Sequence, residues 1–275
     1  MSIKMIITDL DGTFYHEDLT FDKERFNKLY NKMRQNDIHF VVASGNQYYQ
    51  LISFFDQKDE MSFIAENGGY VVDRNEEIFS VEIHYDTWHT IANLLKNMPE
   101  ITFLLICGKK SSYVLSTTPD EQVKFYKDYF PKLEKVNSFE DIDDQILKIA
   151  IACIPDCTLD IAKQMNQYVD QTLSVVTSGH GYIDIIVKGI HKANAIQMLM
   201  EKYNIQASEI MAFGDAMNDL EMLELAKYGF VMMNGNSELK EKIGRITKND
   251  CEHDGELEII EEYFENPEKF LQKYI

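Results

Sequence analysis

The sequence predicts an α/β protein: an open sheet whose strands end in polar loops, with a second α/β unit inserted into it. Three observations lead there. An apolar run over residues 3 to 7 stops at two carboxylates one residue apart, Asp9 and Asp11, followed by Gly12 and Thr13. A second apolar run, Ile210-Met211-Ala212-Phe213, stops in the same way at Gly214-Asp215-Ala216-Met217-Asn218-Asp219. Between them, about residues 83 to 182 alternate helical and strand patterns of their own. Short apolar runs bounded by turn signals mark buried strands, and open α/β sheets gather ligand groups beyond the carboxyl ends of such strands.

The first strand delivers Asp9 and Asp11 to a sheet edge, where two nearby carboxylates repel and favour a cation between them. Residues 14 to 37 leave space for one helix. The next strand, Ile38 to Ala43, ends in Ser44-Gly45-Asn46 before a helix near Gln47. A small hydroxyl and a glycine at a helix start can hold a phosphate oxygen, although an ordinary serine cap reads the same triplet equally well.

The inserted stretch begins with helical spacing at Trp88, Ile91, Leu94 and Leu95, then strands at Ile101 to Ile106 and Tyr113 to Leu115. A helix with Val123, Phe125 and Tyr126, a strand at Leu147 to Ala152 and a helix with Leu159, Ile161 and Met165 follow. Strands at Leu173 to Thr177 and Tyr182 to Val187 close it. His180 and Tyr182 are candidates to face a ligand, with a plain surface turn as the simpler reading.

Lys192 opens a helix carrying Ile196, Leu199 and Met200, a place where the helix dipole disfavours a cation, so it calls for an anion. Lys188, beside a glycine turn, is the competing lysine and reads as surface. Asp215, at the tip of the later strand, joins Asp9 and Asp11 if the two strands are neighbours, and the three offer the hard oxygen donors that Mg²⁺ prefers. Helix capping explains one polar group among Asp215, Asn218 and Asp219, but not three. The acidic segment from Glu252 to Glu265 reads as a solvated helix face.

Composition limits the partners. A chain of 275 residues with 45% apolar content buries roughly 70 to 75% of its unfolded surface and reads as an ordinary globular protein. Its net charge is −19, with arginine only at positions 25, 34, 74 and 245. That field argues against nucleic acids and anionic membranes. An anionic ligand must then be drawn by something local, namely a divalent cation, a placed lysine and backbone amides. Cys107, Cys153, Cys157 and Cys251 form neither a Cys-x-x-Cys pair nor a dense framework, and with no signal peptide or spanning segment the expected location is cytoplasmic. A calcium loop starting at Asp9 would need glutamate where Thr20 stands, and Gly108-Lys109-Lys110-Ser111 lacks the upstream glycine of a P-loop.

Asp9-Leu10-Asp11-Gly12-Thr13, Ser44-Gly45, Lys192 and Gly214-Asp215-Ala216-Met217-Asn218-Asp219, in that order, resemble the four motifs of the haloacid dehalogenase-like phosphatase superfamily. Within it the chain is similar to the Cof-type, or IIB, sugar-phosphate phosphatases. Glu66-Asn67-Gly68, Met233-Asn234-Gly235-Asn236 and His253-Asp254-Gly255-Glu256 add to the likeness. Asn46, where that family often has arginine, departs from it and bears on a substrate or cap contact.

The resemblance implies a Rossmann-like, doubly wound parallel core over residues 1–82 and 183–275, with a C2B-type α/β cap at 83–182. It implies Mg²⁺-dependent hydrolysis of small phosphorylated metabolites, such as sugar phosphates, through an aspartyl-phosphate. Asp9 would be the nucleophile and Asp11 the acid and base. Asp9, the Asp11 carbonyl and Asp215 would hold the metal. Leu10, Ser44, Gly45, Lys192 and Asn218 would surround the phosphate, with Thr13 and Asp219 in support. The chain would act as a monomer or homodimer. Rival readings are a phosphomutase, which usually carries a helical cap between the first two motifs, and a silent sugar-phosphate or nucleotide sensor on the same fold.

Overall fold

The computed structural model describes residues 2–179 and 181–274. The first elements are β1 (Met5–Thr8), α1 (Lys23–Gln35), β2 (His39–Ala43), α2 (Tyr48–Ser53), β3 (Ser62–Ala65), β4 (Tyr70–Asp73), β5 (Glu76–Ser80) and α3 (Tyr85–Leu95). Next come β6 (Ile101–Gly108), β7 (Ser112–Leu115), α4 (Asp120–Tyr126), β8 (Leu133–Val136), β9 (Ile146–Cys153), α5 (Thr158–Met165), β10 (Leu173–Gly179) and β11 (Tyr182–Val187). The chain continues with α6 (Lys192–Tyr203), β12 (Ile210–Gly214), α7 (Leu220–Leu225), β13 (Tyr228–Val231), α8 (Ser237–Ile243), α9 (Gly255–Glu265) and α10 (Pro267–Lys273).

Contacts divide these elements into two units. The first comprises residues up to Gly45, Gln57–Glu76 and everything from His191 onward. The strands of this unit run β13-β12-β1-β2-β3-β4, parallel from β13 to β3 and antiparallel at β4. β1 is buried along its whole length because it lies centrally in a sheet covered by helices, which is why it reads as an unbroken apolar run. From β1 the chain winds outward to β2 and β3, then returns to lay β12 and β13 on the other side. The strand order therefore reverses at β1 and β12, the point at which a doubly wound fold opens a crevice for ligands.

Local chemistry sets the helices of this unit. Asp22 caps α1 by accepting from the Arg25 amide at 2.9 Å, and Phe26, Leu29, Tyr30 and Met33, at helical spacing, turn inward. Phe26 meets Phe14 edge-on, and Phe40 lies 5.2 Å from Phe26. α9 packs on α1 and α10. The acidic run at its start is not a uniformly solvated face: Glu256 is 1% exposed and Leu257, Ile259, Ile260 and Tyr263 are buried with it. Position on the inner face, rather than acidity, decides its burial.

The second unit holds residues 46–56 and 77–190. Its sheet runs β10-β11-β9-β6-β7-β8, antiparallel except for β7 with β8. Trp88, Ile91 and Leu95 of α3 and Ile161 and Met165 of α5 pack on Ile149, Ile151, Ile183 and Ile185. Segment 46–56 belongs here through polar bonds. The Gln47 amide donates to Ser112 Oγ and to the Lys132 carbonyl, both at 2.9 Å, and Gln50 donates to the Asp128 carbonyl at 3.0 Å. β11 pairs with β9 and β10, so residues 183–190 also group with this unit, as do 77–82. β8, with Glu134 and Lys135 side by side between Leu133 and Val136, is too short and polar to stand out in the sequence. Among the described residues, no helix is long and apolar enough to cross a membrane, and the four cysteines are free.

Candidate active site

The parallel registers of β1 with β12 and of β1 with β2 bring three strand ends of the first unit to one edge. Asp9 follows β1, and its amide donates to the Phe213 carbonyl at 3.1 Å. Asp215 follows β12. Carboxylate oxygens of Asp9, Asp215 and Asp219 all lie within 4.8 Å of one another.

Lys192, 1% exposed, sits among them and donates to Asp9 Oδ1 and Asp219 Oδ1, each at 2.6 Å. Lys188 is exposed on the surface. Burial alone would disfavour the Lys192 ammonium, but the carboxylates of Asp219 and Asp9 more than offset it and hold its pKa above the ordinary lysine value. Asp219 spends its second oxygen on the amides of Asp215 and Ala216, at 3.0 and 3.1 Å. It thus shapes the loop after β12 rather than facing a ligand with both oxygens.

Asp9 and Asp215 are less well compensated. Burial pushes the Asp9 carboxyl well above the usual range; Lys192 opposes this, while Asp219, Asp215 and Asp11 reinforce it. Burial and the neighbouring Asp219 charge push Asp215 up to about 7. Two crowded carboxyls with raised pKa values form an all-oxygen donor set that fits a hard divalent cation, which would relieve their repulsion. Asp11 is exposed on the same loop, and the Tyr15 hydroxyl donates to its Oδ1.

The loop from Asp9 to Thr13 is held closely. Gly12 has φ +72°, and a side chain there would put Cβ 2.6 Å from Asp215 Oδ2. The Asn234 amide donates to the Gly12 carbonyl at 2.7 Å, and Thr13 Oγ1 reaches Asp215 Oδ1 at 3.5 Å. The Leu10 carbonyl accepts from the amides of Thr13, Phe14 and Tyr15.

After β2, Ser44 is buried and its carbonyl accepts from the Asn67 amide at 3.0 Å. Gly45 lies against the Asn67 side chain, whose Oδ1 accepts from Asn218 Nδ2 at 3.3 Å. Asn67 was not among the predicted site residues. Its signal was Glu66-Asn67-Gly68, three consecutive residues at positive φ of 52°, 55° and 103°, a tight turn that Asn and Gly tolerate. Asn234, likewise unassigned, lay in the Met233-Asn234-Gly235-Asn236 turn. Tyr182 on β11 is 46% exposed, and it hydrogen-bonds with Tyr126. His180 lies outside the described residues.

Comparison with known proteins places the whole chain beside phosphatases. A sequence model of the haloacid dehalogenase-like hydrolase family matches residues 6–260. The chain is similar to the 5-amino-6-(5-phospho-D-ribitylamino)uracil phosphatase YbjI of Escherichia coli, at 36% identity over 273 residues, covering 99% of this chain and 100% of that protein. It is 26% identical to a Bacillus subtilis phosphatase of the same name, YitU, over 94% of this chain and 97% of that one. The crystal structure of SMU.1108c from Streptococcus mutans superposes with a TM-score of 0.87 at 33% identity, covering 96% of this chain and 100% of that chain.

Proposed function

The chain belongs to the haloacid dehalogenase-like hydrolase family and is a phosphatase acting on a phosphorylated substrate, and from that premise we propose that it is a Mg²⁺-dependent hydrolase of small sugar- or polyol-phosphate esters. The observation that carries the reading is the cluster of buried Asp9, Asp219 and Lys192 with half-buried Asp215 at the ends of β1 and β12. In the proposed reaction an Asp9 oxygen attacks phosphorus in line. The O–P bond to Asp9 forms as the ester O–P bond breaks, and Asp11 gives its proton to the departing alcohol oxygen. Asp11 then accepts a proton from water, whose oxygen displaces Asp9 from phosphorus and releases inorganic phosphate.

Lys192, the Leu10 and Gly45 amides, the Ser44 hydroxyl and Asn218 stabilise charge on the transferring oxygens. Asp9, the Asp11 carbonyl and Asp215 would hold Mg²⁺, which supplies positive charge against the repulsion between carboxylate and phosphate. Lys192 performs part of that task on Asp9 directly. The second unit is assigned the role of a C2B-type cap that selects the organic part of the ester.

The relatives named for 5-amino-6-(5-phospho-D-ribitylamino)uracil make a phosphorylated ribityl chain the first substrate to try. Phosphate release is to be measured from that compound, a panel of sugar phosphates and para-nitrophenyl phosphate, with Mg²⁺ and with EDTA. Activity should require the cation, and Asp9→Asn should lower turnover by a factor of about 10³ or more with an unchanged circular dichroism spectrum. An active Asp9→Asn variant would remove Asp9 from the nucleophile role.

A further inference from the structure

We propose that Glu256 is a positioning residue for Asp9, acting through the Thr8 hydroxyl, and that its carboxyl carries a proton in the folded protein. The link joins residues 248 apart in the chain. Thr8 is the last residue of β1 and is fully buried. Its Oγ1 lies 2.5 Å from the Asp9 carbonyl oxygen and 2.5 Å from Glu256 Oε2.

Proton counting then fixes the arrangement. A carbonyl oxygen only accepts, and a hydroxyl owns one proton. Two contacts of hydrogen-bond length at one hydroxyl oxygen, both to oxygens, need two protons. Thr8 supplies one, donated to the Asp9 carbonyl. The other comes from Glu256, whose Oε2–H donates to Thr8 Oγ1. An ionised Glu256 would draw the Thr8 proton to itself and leave the Asp9 carbonyl facing a lone pair.

The surroundings agree. Glu256 is 1% exposed, and its Oε1 is buried with no hydrogen-bond partner among the described residues, a costly place for a full negative charge. Burial holds its pKa well above the ordinary range; the Thr8 bond opposes this and the Asp9 charge adds to it. The start of α9 is set in place by Gly255, where a Cβ would stand 2.0 Å from the Asn249 carbonyl oxygen. With the Asp9 amide bonded to Phe213 and its side chain to Lys192, the Thr8 hydroxyl holds the remaining group of Asp9, its carbonyl. Attack in line depends on where that residue points, and a small misplacement of a reacting group is expensive.

The proposal rests on Asp9 as the nucleophile, and the experiment separates the two. Kinetics with para-nitrophenyl phosphate at saturating Mg²⁺ are to be measured for wild type, Asp9→Asn, Glu256→Gln, Glu256→Ala, Thr8→Val and the Glu256→Ala/Thr8→Val double variant, each with a thermal melt. Glu256→Gln keeps a donor for Thr8 and should hold kcat within about threefold of wild type. Glu256→Ala should lower kcat by about tenfold or more with KM altered less than about twofold. Thr8→Val, nearly isosteric, should match it, and the double variant should be no slower than either single one.

Thr8→Val also reads the link if Glu256→Ala melts below the assay temperature. An infrared difference spectrum, wild type minus Glu256→Gln at neutral pH, should show the C=O stretch of one protonated carboxyl. Wild-type kcat in folded Glu256→Ala or Thr8→Val, equal slowing in Glu256→Gln and Glu256→Ala, or a carboxylate band instead of the protonated one would overturn the proposal. Turnover by Asp9→Asn would instead overturn the nucleophile assignment.

Discussion

Asp215 carries the conflict of the site in one side chain. Its ordinary carboxyl value of 3.8 rises to about 7 through burial and repulsion from Asp219. Between those values the folded chain holds a proton that the unfolded chain has released. This group's contribution to stability is therefore fully present below about 4 and lost as pH rises through about 7. In EDTA, wild type should lose melting temperature relative to Asp215→Asn as pH goes from 5 to 7.5. Excess Mg²⁺ should reverse the loss, because a bound cation replaces the proton. A wild-type minus Asp215→Asn difference that stays flat across that window would mean that Asp215 titrates normally. Asp9, Asp11, Asp215 and Lys192 could all be singled out in the sequence, since each stands at an abrupt change from apolar run to charge or at a helix start that disfavours its charge. Tyr15 could not, because its contact to Asp11 depends on a loop path with no periodic signature; Asn67 stood in the legible Glu66-Asn67-Gly68 turn, but its contact to Asn218 is set by folding.

Loops joined to strand ends govern the site at the scale of elements. The turn after β1 must bring Asp9 and Asp11 around while letting Asp215 close in, and Gly12 permits both with its φ of +72° and its missing Cβ. Gly12→Ala should fold, at a cost of about 1 kcal/mol for the left-handed backbone, yet lose activity by about tenfold or more through displacement of Asp215. Urea unfolding and phosphatase assays on the same preparation check both parts. Full activity in Gly12→Ala would show that the loop tolerates the shift. Most strands and helices were readable from their spacing, because each buries one face or both. β8 escaped because its two apolar residues do not make a run. The second unit's hold on residues 46–56 escaped because it rests on the side-chain amides of Gln47 and Gln50, which carry no pattern.

For the molecule as a whole, the net charge of −19 opposes the approach of an anionic ester, and the favourable field of Lys192, with that of the proposed cation when bound, would act only at short range. Screening weakens the long-range repulsion first. At saturating Mg²⁺, kcat/KM for a phosphate monoester should rise about twofold or more between 10 and 150 mM NaCl. A steady fall over that range would mean that local attraction dominates the encounter.

That the chain is an α/β protein with acidic strand ends, a lysine at a helix start that calls for an anion and a second α/β unit within it follows from residue order alone. Hydrophobic periodicity and strand-end chemistry are properties of short segments, and these are written locally. The pairing of β1 with β12, the setting of Lys192 between Asp9 and Asp219, and the seating of Glu256 on Thr8 are not local. They join residues tens to hundreds of positions apart. Their geometry depends on how whole elements pack, so the folded chain was needed to show which acidic groups meet and which one of the C-terminal glutamates turns inward.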